Sequence, residues 1–310
     1  MDQVLDKKLL FVSGKGGTGK SFVAATLALL ATYQGKRVLL MEYSSHGGLG
    51  ALFGHPDKVG HKAVQVTPLL SCINFDARQC FREYVVKHLG MATLYEKVFT
   101  HATVQSFLSA LPALAETMVL GRIFHDCELV QDNKYDLMIF DGPASGHFLN
   151  FLTTPEAIIQ AGLGGPLVKE VERIKNFLQE EKRCSALVVT QPAELIVGET
   201  LEFLPKYAAL SPIKDFSLII NRSLGSEYEQ QESLFAMLSQ QPGLQHTLSF
   251  LQKKWSDSKH WENYLLDQLE PSFLPAQKIM RFPEWGVIEE PLQSFLPVDH
   301  PFMRGMLHGT

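Results

Sequence analysis

Residues 13 to 21 read "SGKGGTGKS", and this stretch decides the fold. Gly14 to Ser21 fit the pattern G-x-x-x-x-G-K-[ST], in which the backbone N–H groups of a glycine-rich loop surround phosphate oxygens. The apolar run "LLFVS" precedes the loop, and a helical pattern begins near Lys20. A helix N-terminus carries partial positive charge that favours an anion. The stretch therefore predicts a phosphate site between a buried strand and a helix.

The backbone and the side chains of this loop have different expected roles. Backbone contacts to the phosphates are expected along Gly14, Lys15, Gly16, Gly17, Thr18 and Gly19. Lys20 is expected to bridge the β- and γ-phosphates of ATP, and the Ser21 hydroxyl to ligate Mg²⁺. ATP and Mg²⁺ are therefore the predicted cofactors.

Magnesium also needs a carboxylate at the end of a neighbouring strand. The apolar run "YDLMIFD" ends at Asp141 and is followed by "GPASGH", which we interpret as a loop that senses the γ-phosphate. We favour Asp141 as the magnesium carboxylate. The alternative is a strand-end aspartate that only caps the next turn.

Composition excludes several other classes of protein. The chain has 310 residues, 45% of them hydrophobic, and a net charge of -5, which gives no electrostatic reason to expect nucleic acid as a partner. Its longest mostly apolar stretch, 22 to 33, is shorter than the roughly 18 residues that span a bilayer, so no transmembrane segment is expected. The N-terminus lacks the layout of a secretory signal, and we place the protein in the cytoplasm. The four cysteines are scattered without a C-x-x-C pair, which favours buried thiols over a zinc site.

Short apolar runs alternate with helical patterns along the chain. Strands are predicted at 9 to 13, 37 to 43, 136 to 141, 186 to 191, 216 to 221 and 277 to 282. Helices are predicted at 20 to 34, about 77 to 131, 166 to 182, 193 to 210 and as a pair over 226 to 269. This order predicts a doubly wound α/β fold with a mainly parallel sheet flanked by helices. We expect one domain over 1–310, with a helical elaboration at 77–131.

The quoted motifs resemble those of the ArsA-type ATPases. "KGGTGKS" is similar to their deviant phosphate loop with an extra lysine, and "FDGPASGHFLNFLTTP" to their second switch element. "RVLLMEYSSHGGLGALFG" keeps the family's order of a strand followed by the first switch element, and "LIIN" is similar to the family's sequence around the position of Asn221. The family includes arsenite-pump ATPases and targeting ATPases for tail-anchored membrane proteins. The resemblance implies Mg²⁺-dependent ATP hydrolysis, a homodimer and a nucleotide-driven conformational change.

The resemblance also implies two residue roles. Lys15 matches a lysine that reaches across a two-fold interface to the nucleotide of the other subunit. The alternative for Lys15 is a solvated loop lysine. Asn221, at the end of "LIIN", falls where the family contacts adenine. A turn-forming asparagine is the alternative there.

The first switch departs from the family pattern. "SSHGG" stands where the family has "D-P-A-H-N", so Ser44 replaces the water-activating aspartate. Serine is not a useful proton acceptor near neutral pH. Glu42 is the nearest carboxylate, two residues back along a predicted strand and so on the same face, and could orient the water. Its alternative role is pairing with a basic neighbour.

Three further questions stay open at the level of sequence. Residues 80 to 124 carry apolar side chains at helical spacing, which could line a groove for an apolar protein client or form the core of a helical subdomain. The whole chain could be a nucleotide-gated binding protein with little hydrolysis. A positioning ATPase of the MinD/ParA type is the other rival, although "DGPASGH" and the acidic charge count against it.

Overall fold

The computed structural model describes residues 2–44, 47–55, 59–89, 112–128, 134–160, 162, 166–224, 238, 245–283 and 291–308. Within these ranges eight strands form one sheet: β1 (Leu9–Gly14), β2 (Val38–Glu42), β3 (Val64–Thr67), β4 (Leu70–Asn74), β5 (Leu137–Ala144), β6 (Cys184–Thr190), β7 (Phe216–Ser223) and β8 (Ile279–Pro283). The strand order is β3-β4-β2-β5-β1-β6-β7-β8. β3 and β4 pair antiparallel, and the other neighbours pair parallel. The predicted mainly parallel sheet is confirmed.

The described helices are α1 (Asp2–Leu5), α2 (Lys20–Tyr33), α3 (Leu49–Leu52), α4 (Ala77–Leu89), α5 (Pro112–Glu128), α6 (Ser145–Gln160), α7 (Pro166–Leu178), α8 (Glu194–Leu210), α9 (Gln245–Gln268), α10 (Leu292–Phe295) and α11 (Pro301–His308). A short 3-10 helix, Ala276–Lys278, precedes β8. None of the helices in these ranges is long and apolar enough to cross a membrane.

Helices cover both faces of the sheet, and the strands are therefore buried on both sides. In β1, Leu9 and Phe11 join one hydrophobic cluster, which also contains residues of α5 to α9. Leu10 and Val12 join the opposite cluster, together with α2 and the C-terminal helices. Continuous apolar runs with this alternation are typical of parallel sheets covered on both faces. The doubly wound α/β architecture is therefore confirmed.

Two sequence-based boundaries differ from the structure by three residues or more. Residues 142 to 144, interpreted as a loop after Asp141, continue β5, and α6 begins directly at Ser145. The strand continues because Ala144 pairs with Gly14 of β1 and the Ser13 hydroxyl donates a hydrogen bond to the Pro143 carbonyl at 2.9 Å. The helix predicted over 166 to 182 ends earlier, at Leu178.

The helical elaboration is described in two parts, α4 and α5, which pack against each other. Their buried apolar side chains, among them Cys80, Val119 and Ile123, belong to the main core cluster. For these residues the structure favours the core over a client groove. Residues 90–111, the remainder of the predicted groove, lie outside the described residues, as does most of the first helix of the pair predicted over 226 to 269.

Candidate functional site

The phosphate loop lies at the carboxyl edge of the sheet, between β1 and α2. Its first residue, Gly14, has φ +150°, and a Cβ there would lie 2.0 Å from the carbonyl oxygen of Val189 on β6. Gly19 has φ +84° directly before α2. Residues that carry a side chain rarely adopt such φ values, so glycine at these two positions permits the close approach to β6 and the turn into the helix. The strand-loop-helix arrangement expected from the sequence is present.

Two side chains from neighbouring strands fasten this loop. The Asn221 amide, buried at the end of β7, donates a hydrogen bond to the Thr18 carbonyl at 2.8 Å. The Gln191 amide, just after β6, donates to the Gly17 carbonyl at 3.2 Å. Gly19 lies so close to Asn221 that a Cβ would be 2.4 Å from the amide nitrogen. Asn221 thus holds the loop, and its expected contact with adenine stays a prediction.

Lys20 points back into the loop from the first turn of α2. Its ammonium group donates to the Lys15 carbonyl at 3.1 Å, and the Thr18 hydroxyl donates to the same carbonyl at 2.8 Å. Burial lowers the pKa of Lys20, while the charge of Asp141 opposes this effect. The amine therefore lies within the field of Asp141, as a phosphate-binding lysine beside a magnesium carboxylate would.

Asp141 and Ser21 are the residues that could hold a cation. Burial raises the pKa of Asp141 to about 6, against the opposing effects of a hydrogen bond with Ser21 and the charge of Lys20. One carboxylate oxygen, Oδ1, is buried and has no hydrogen-bond partner among the described residues. A buried acceptor without a donor is costly, which suits an oxygen reserved for a ligand. Hydroxyl and carboxylate oxygens fit Mg²⁺, which is usually held by one or two carboxylates plus phosphates and water.

Glu42 lies directly beside Asp141, since the two residues are register partners on β2 and β5. Its buried carboxylate accepts hydrogen bonds from the Gly48 N–H at 3.1 Å and 3.0 Å and from the Leu49 N–H at 3.4 Å. Burial raises the pKa of Glu42, and these backbone bonds oppose the shift. Glu42 thus anchors the start of α3. The Glu42 carboxylate is thus bound by backbone N–H groups, whereas the sequence suggested a basic side chain as its alternative partner.

Ser44 is held through its backbone by Asn74, a residue that sequence reasoning missed. The Ser44 N–H donates to the Asn74 side-chain oxygen at 3.2 Å, and the Asn74 amide donates to the Ser44 carbonyl at 3.0 Å. β2 already ends at Glu42, so the strand alternation that would place Glu42 and Ser44 on one face does not extend to Ser44. The Ser44 residue is exposed, whereas Glu42 is buried. Ser45 and His46 lie outside the described residues.

Lys15, the additional lysine of the loop, forms an ion pair with Glu199 on α8 of the same chain. Both side chains are partly exposed, with 36% of Lys15 and 48% of Glu199 accessible. The sequence suggested either action on a second subunit or a solvated lysine. In the single chain Lys15 is instead paired with its own Glu199.

A cavity of about 320 Å³ opens beside the loop, where β6 and β7 end between α8 and α9. Gln191, Arg222, Trp255 and Trp261 are among its lining residues. Arg222 adopts φ +60°, which is unusual for a residue other than glycine. Sequence reasoning missed this cavity because a spacing of six residues does not predict that the two tryptophans line one site.

The described part of the chain contains no group of three or more His, Cys, Asp or Glu side chains that could hold a metal ion.

Sequence comparison agrees with this geometry. The profile of the anion-transporting ATPase family, the ArsA-type ATPases, matches residues 7–164, slightly more than half of the chain. The chain belongs to this family. The match begins just before β1, contains the phosphate loop and Asp141, and ends at residue 164, beyond the end of α6. It therefore contains both phosphate elements of this ArsA-type ATPase.

Several curated proteins resemble this ArsA-type ATPase. ATPase BagA of Mycobacterium tuberculosis is 28% identical over 234 residues, which are 73% of this chain and 68% of that protein. ATPase GET3 of Malassezia globosa is 28% identical over 166 residues, or 52% of this chain and 47% of that protein. The arsenical pump-driving ATPase of Escherichia coli is 28% identical over 150 residues, or 48% of this chain and 25% of that protein.

Proposed function

We propose that this chain is a Mg²⁺-dependent ATPase that forms a homodimer around nucleotide and converts the state of ATP into a conformational change. The observation that carries the proposal is the buried Oδ1 of Asp141, which has no hydrogen-bond partner in the described part of the chain and lies beside Ser21 and Lys20. A lysine, a hydroxyl and a carboxylate at the end of a glycine-rich loop are the parts that bind the phosphates of ATP with Mg²⁺. When bound, Mg²⁺ would neutralise charge on the phosphates.

Each side chain has one role in this proposal. Lys20 binds the β- and γ-phosphates, Ser21 and Asp141 hold the cation, and the loop backbone from Gly14 to Gly19 surrounds the phosphates. Lys15 acts on the nucleotide of a second copy. A cation supplied in this way is worth about 10³ to 10⁵ in rate for arginine fingers.

Glu42 is the residue we propose to orient the attacking water. It lies next to Asp141 in the sheet, and burial raises its pKa, which makes its carboxylate a better proton acceptor than an exposed glutamate. A nucleotide-gated binding protein with little hydrolysis is the second candidate. It is favoured by the bonds from the Gly48 and Leu49 N–H groups, which occupy the Glu42 oxygens.

Contacts from the first switch to α4 and α5 support the conformational part of the proposal. Asn74, which holds Ser44, ends β4, and the N–H of Asp76 donates to His61 Nδ1 at 3.1 Å. His61 Nε2 is 3.2 Å from Glu83 on α4, and Glu83 pairs with Arg122 on α5. A change at the first switch would reach the helical elaboration through these contacts. We propose an apolar protein segment as the client, bound outside the faces of α4 and α5 that are buried in the main core cluster.

Two substitutions separate an ATPase from a binding protein, with phosphate release as the measurement. Ser44→Asp restores a carboxylate on a backbone that Asn74 already holds, and we expect turnover to rise on the order of 10²-fold, as for a positioned acid–base group. Ser44→Ala is the matched control and should leave turnover unchanged. Glu42→Gln should lower turnover about tenfold or more with a smaller effect on Mg-ATP affinity.

The wild type should turn over slowly but measurably. If phosphate release is at background in the wild type and in Ser44→Asp while Mg-ATP still binds, the chain is a nucleotide-gated binding protein. If the wild type is fast and Glu42→Gln leaves it fast, the water is oriented by another residue.

A further inference from the structure

Two buried amide side chains each hold one carbonyl group of the phosphate loop. Asn221, within β7, is 5% exposed and donates to the Thr18 carbonyl at 2.8 Å. Gln191, just after β6, is 7% exposed and donates to the Gly17 carbonyl at 3.2 Å. Because both amides come from the carboxyl edge of the sheet, they fix these carbonyl groups relative to the central strands.

The direction of a carbonyl group determines the direction of the N–H group that follows it. In a trans peptide unit the C=O and the N–H point to opposite sides. Because Asn221 holds the Thr18 carbonyl, the Gly19 N–H is turned to the side opposite Asn221. This N–H has no hydrogen-bond partner in the part of the chain that the structure describes. It therefore stays available to a phosphate oxygen, directly before Lys20.

Gln191 acts on the preceding peptide unit of the same loop. With the Gly17 carbonyl held, the Thr18 N–H lies on the other side and donates to the Lys15 carbonyl at 3.4 Å. The Thr18 hydroxyl and the Lys20 ammonium group donate to the same carbonyl. The loop thus closes on the Lys15 carbonyl. A loop whose peptide units are already fixed loses less conformational freedom when it binds a ligand.

We propose that Asn221, assisted by Gln191, is a positioning residue for the phosphates, which acts through the loop backbone and not by contacting the adenine base. The inference rests on the proposed ATP site, and it gives Asn221 a different role from the one that the family resemblance implies. Removal of the amide should weaken every ligand that the loop binds through phosphate, whether or not the ligand carries a base. Removal of an adenine contact would weaken only ligands that carry adenine.

Mg-ATP and Mg-tripolyphosphate, which has no base, separate the two roles. For Asn221→Ala we expect both ligands to bind about tenfold more weakly, as for the loss of one hydrogen bond, so the ratio of the two affinities should stay that of the wild type. Titration calorimetry measures Mg-ATP, and displacement of a fluorescent ATP analogue measures Mg-tripolyphosphate. A variant that loses affinity for Mg-ATP and keeps its affinity for Mg-tripolyphosphate would overturn the proposal in favour of an adenine contact.

Asn221→Asp and Gln191→Ala are the matched variants, and thermal unfolding curves check that each is folded. Asn221→Asp keeps an acceptor oxygen that an adenine amino group could use, but it places a carboxylate against the Thr18 carbonyl. Both ligands should therefore bind at least as weakly as to Asn221→Ala. An adenine contact predicts the opposite order for Mg-ATP. Gln191→Ala removes the longer bond and should weaken both ligands in the same ratio, by about threefold.

Failure of this role differs from failure of the proposed site. Wild-type affinity for both ligands in Asn221→Ala overturns the positioning role alone. A wild type that binds Mg-ATP and not Mg-tripolyphosphate also overturns it, because the loop would then not hold the phosphates by itself. A wild type that binds neither ligand overturns the proposed ATP site, and the positioning role with it.

Discussion

Lys20→Ala is expected to abolish useful ATP binding while the chain stays folded. Lys20 lies at the start of α2 with its ammonium group inside the loop, 3.1 Å from the Lys15 carbonyl. Removing a charge that bonds two phosphates should weaken Mg-ATP binding about 10²-fold or more, as expected for hydrogen bonds to charged groups. Stability should change little, because burial already disfavours the charged amine. Titration calorimetry with Mg-ATP and a thermal unfolding curve measure the two effects.

Lys15→Ala is the control for this substitution, since it removes a lysine from the same loop. Lys15 is turned toward Glu199 and does not enter its own loop. We expect this variant to bind Mg-ATP nearly as tightly as the wild type at concentrations where the chain is monomeric. Wild-type affinity in Lys20→Ala would refute the phosphate site.

Asp141→Asn is expected to stabilise the ligand-free protein and to inactivate it. Burial raises the pKa of Asp141 to about 6. At neutral pH the carboxylate is therefore ionised in both states, but its ionisation costs more free energy in the folded chain than in the unfolded chain. Asparagine is neutral and of similar size. The free energy of unfolding at pH 7.5 should therefore rise by about 1–3 kcal/mol. Phosphate release should fall about 10²-fold or more, because the cation loses its carboxylate.

The extra free energy of unfolding of Asp141→Asn should increase with pH. Below the ordinary aspartate pKa the carboxyl group is protonated in both states, and the two proteins should be equally stable. As the pH rises toward about 6, the unfolded chain loses the proton first, so the wild type loses stability relative to the variant. Above that pH the difference should be constant. Urea unfolding at several pH values between 4 and 8 measures it, and a variant no more stable than the wild type at pH 7.5 would contradict the burial of this charge.

Asp136 provides the matched control, just before the other end of the same strand. A hydrogen bond with Arg37 lowers the pKa of Asp136 to about 2. Its contribution to stability is therefore present above the ordinary aspartate pKa and is lost as the pH falls toward 2. Asp136→Asn should slightly destabilise the protein at neutral pH and leave phosphate release unchanged, which is the reverse of Asp141→Asn on both counts.

The phosphate loop could be predicted from sequence because its chemistry is local. Gly14 to Ser21 are contiguous, the strand and helix around them have clear periodicities, and α2 stops at Tyr33, just before Gly35 with φ +82°. The position of Asp141 beside the loop was predictable for a similar reason, since it is the polar residue that follows a buried apolar run, although β5 continues past it to Ala144. The edge strand β3 was missed because it has only four residues, none of them fully buried, and β4 because Ser71 and Asn74 interrupt its apolar run.

The contacts that hold the site could not be predicted, because they join distant parts of the chain. The Asn221 amide and the Thr18 carbonyl are 203 positions apart, and Gln191 and Gly17 are 174 apart. Single amides of this kind carry no sequence pattern, and only the strand order brings them to the loop. The pair of Lys15 with Glu199 is also of this kind, which is why the sequence suggested only a second subunit or solvent for Lys15.

Complementation between two inactive variants tests the central claim most directly. Lys20→Ala supplies Lys15 but has no working phosphate site, whereas Lys15→Ala keeps the phosphate site and lacks the lysine for its partner. Each should release little phosphate alone. In an equal mixture half of the dimers should be mixed, with one complete site each, so about a quarter of the wild-type rate should return. A mixture that forms mixed dimers by native mass spectrometry but stays inactive would contradict an ATPase whose site is completed by a second copy.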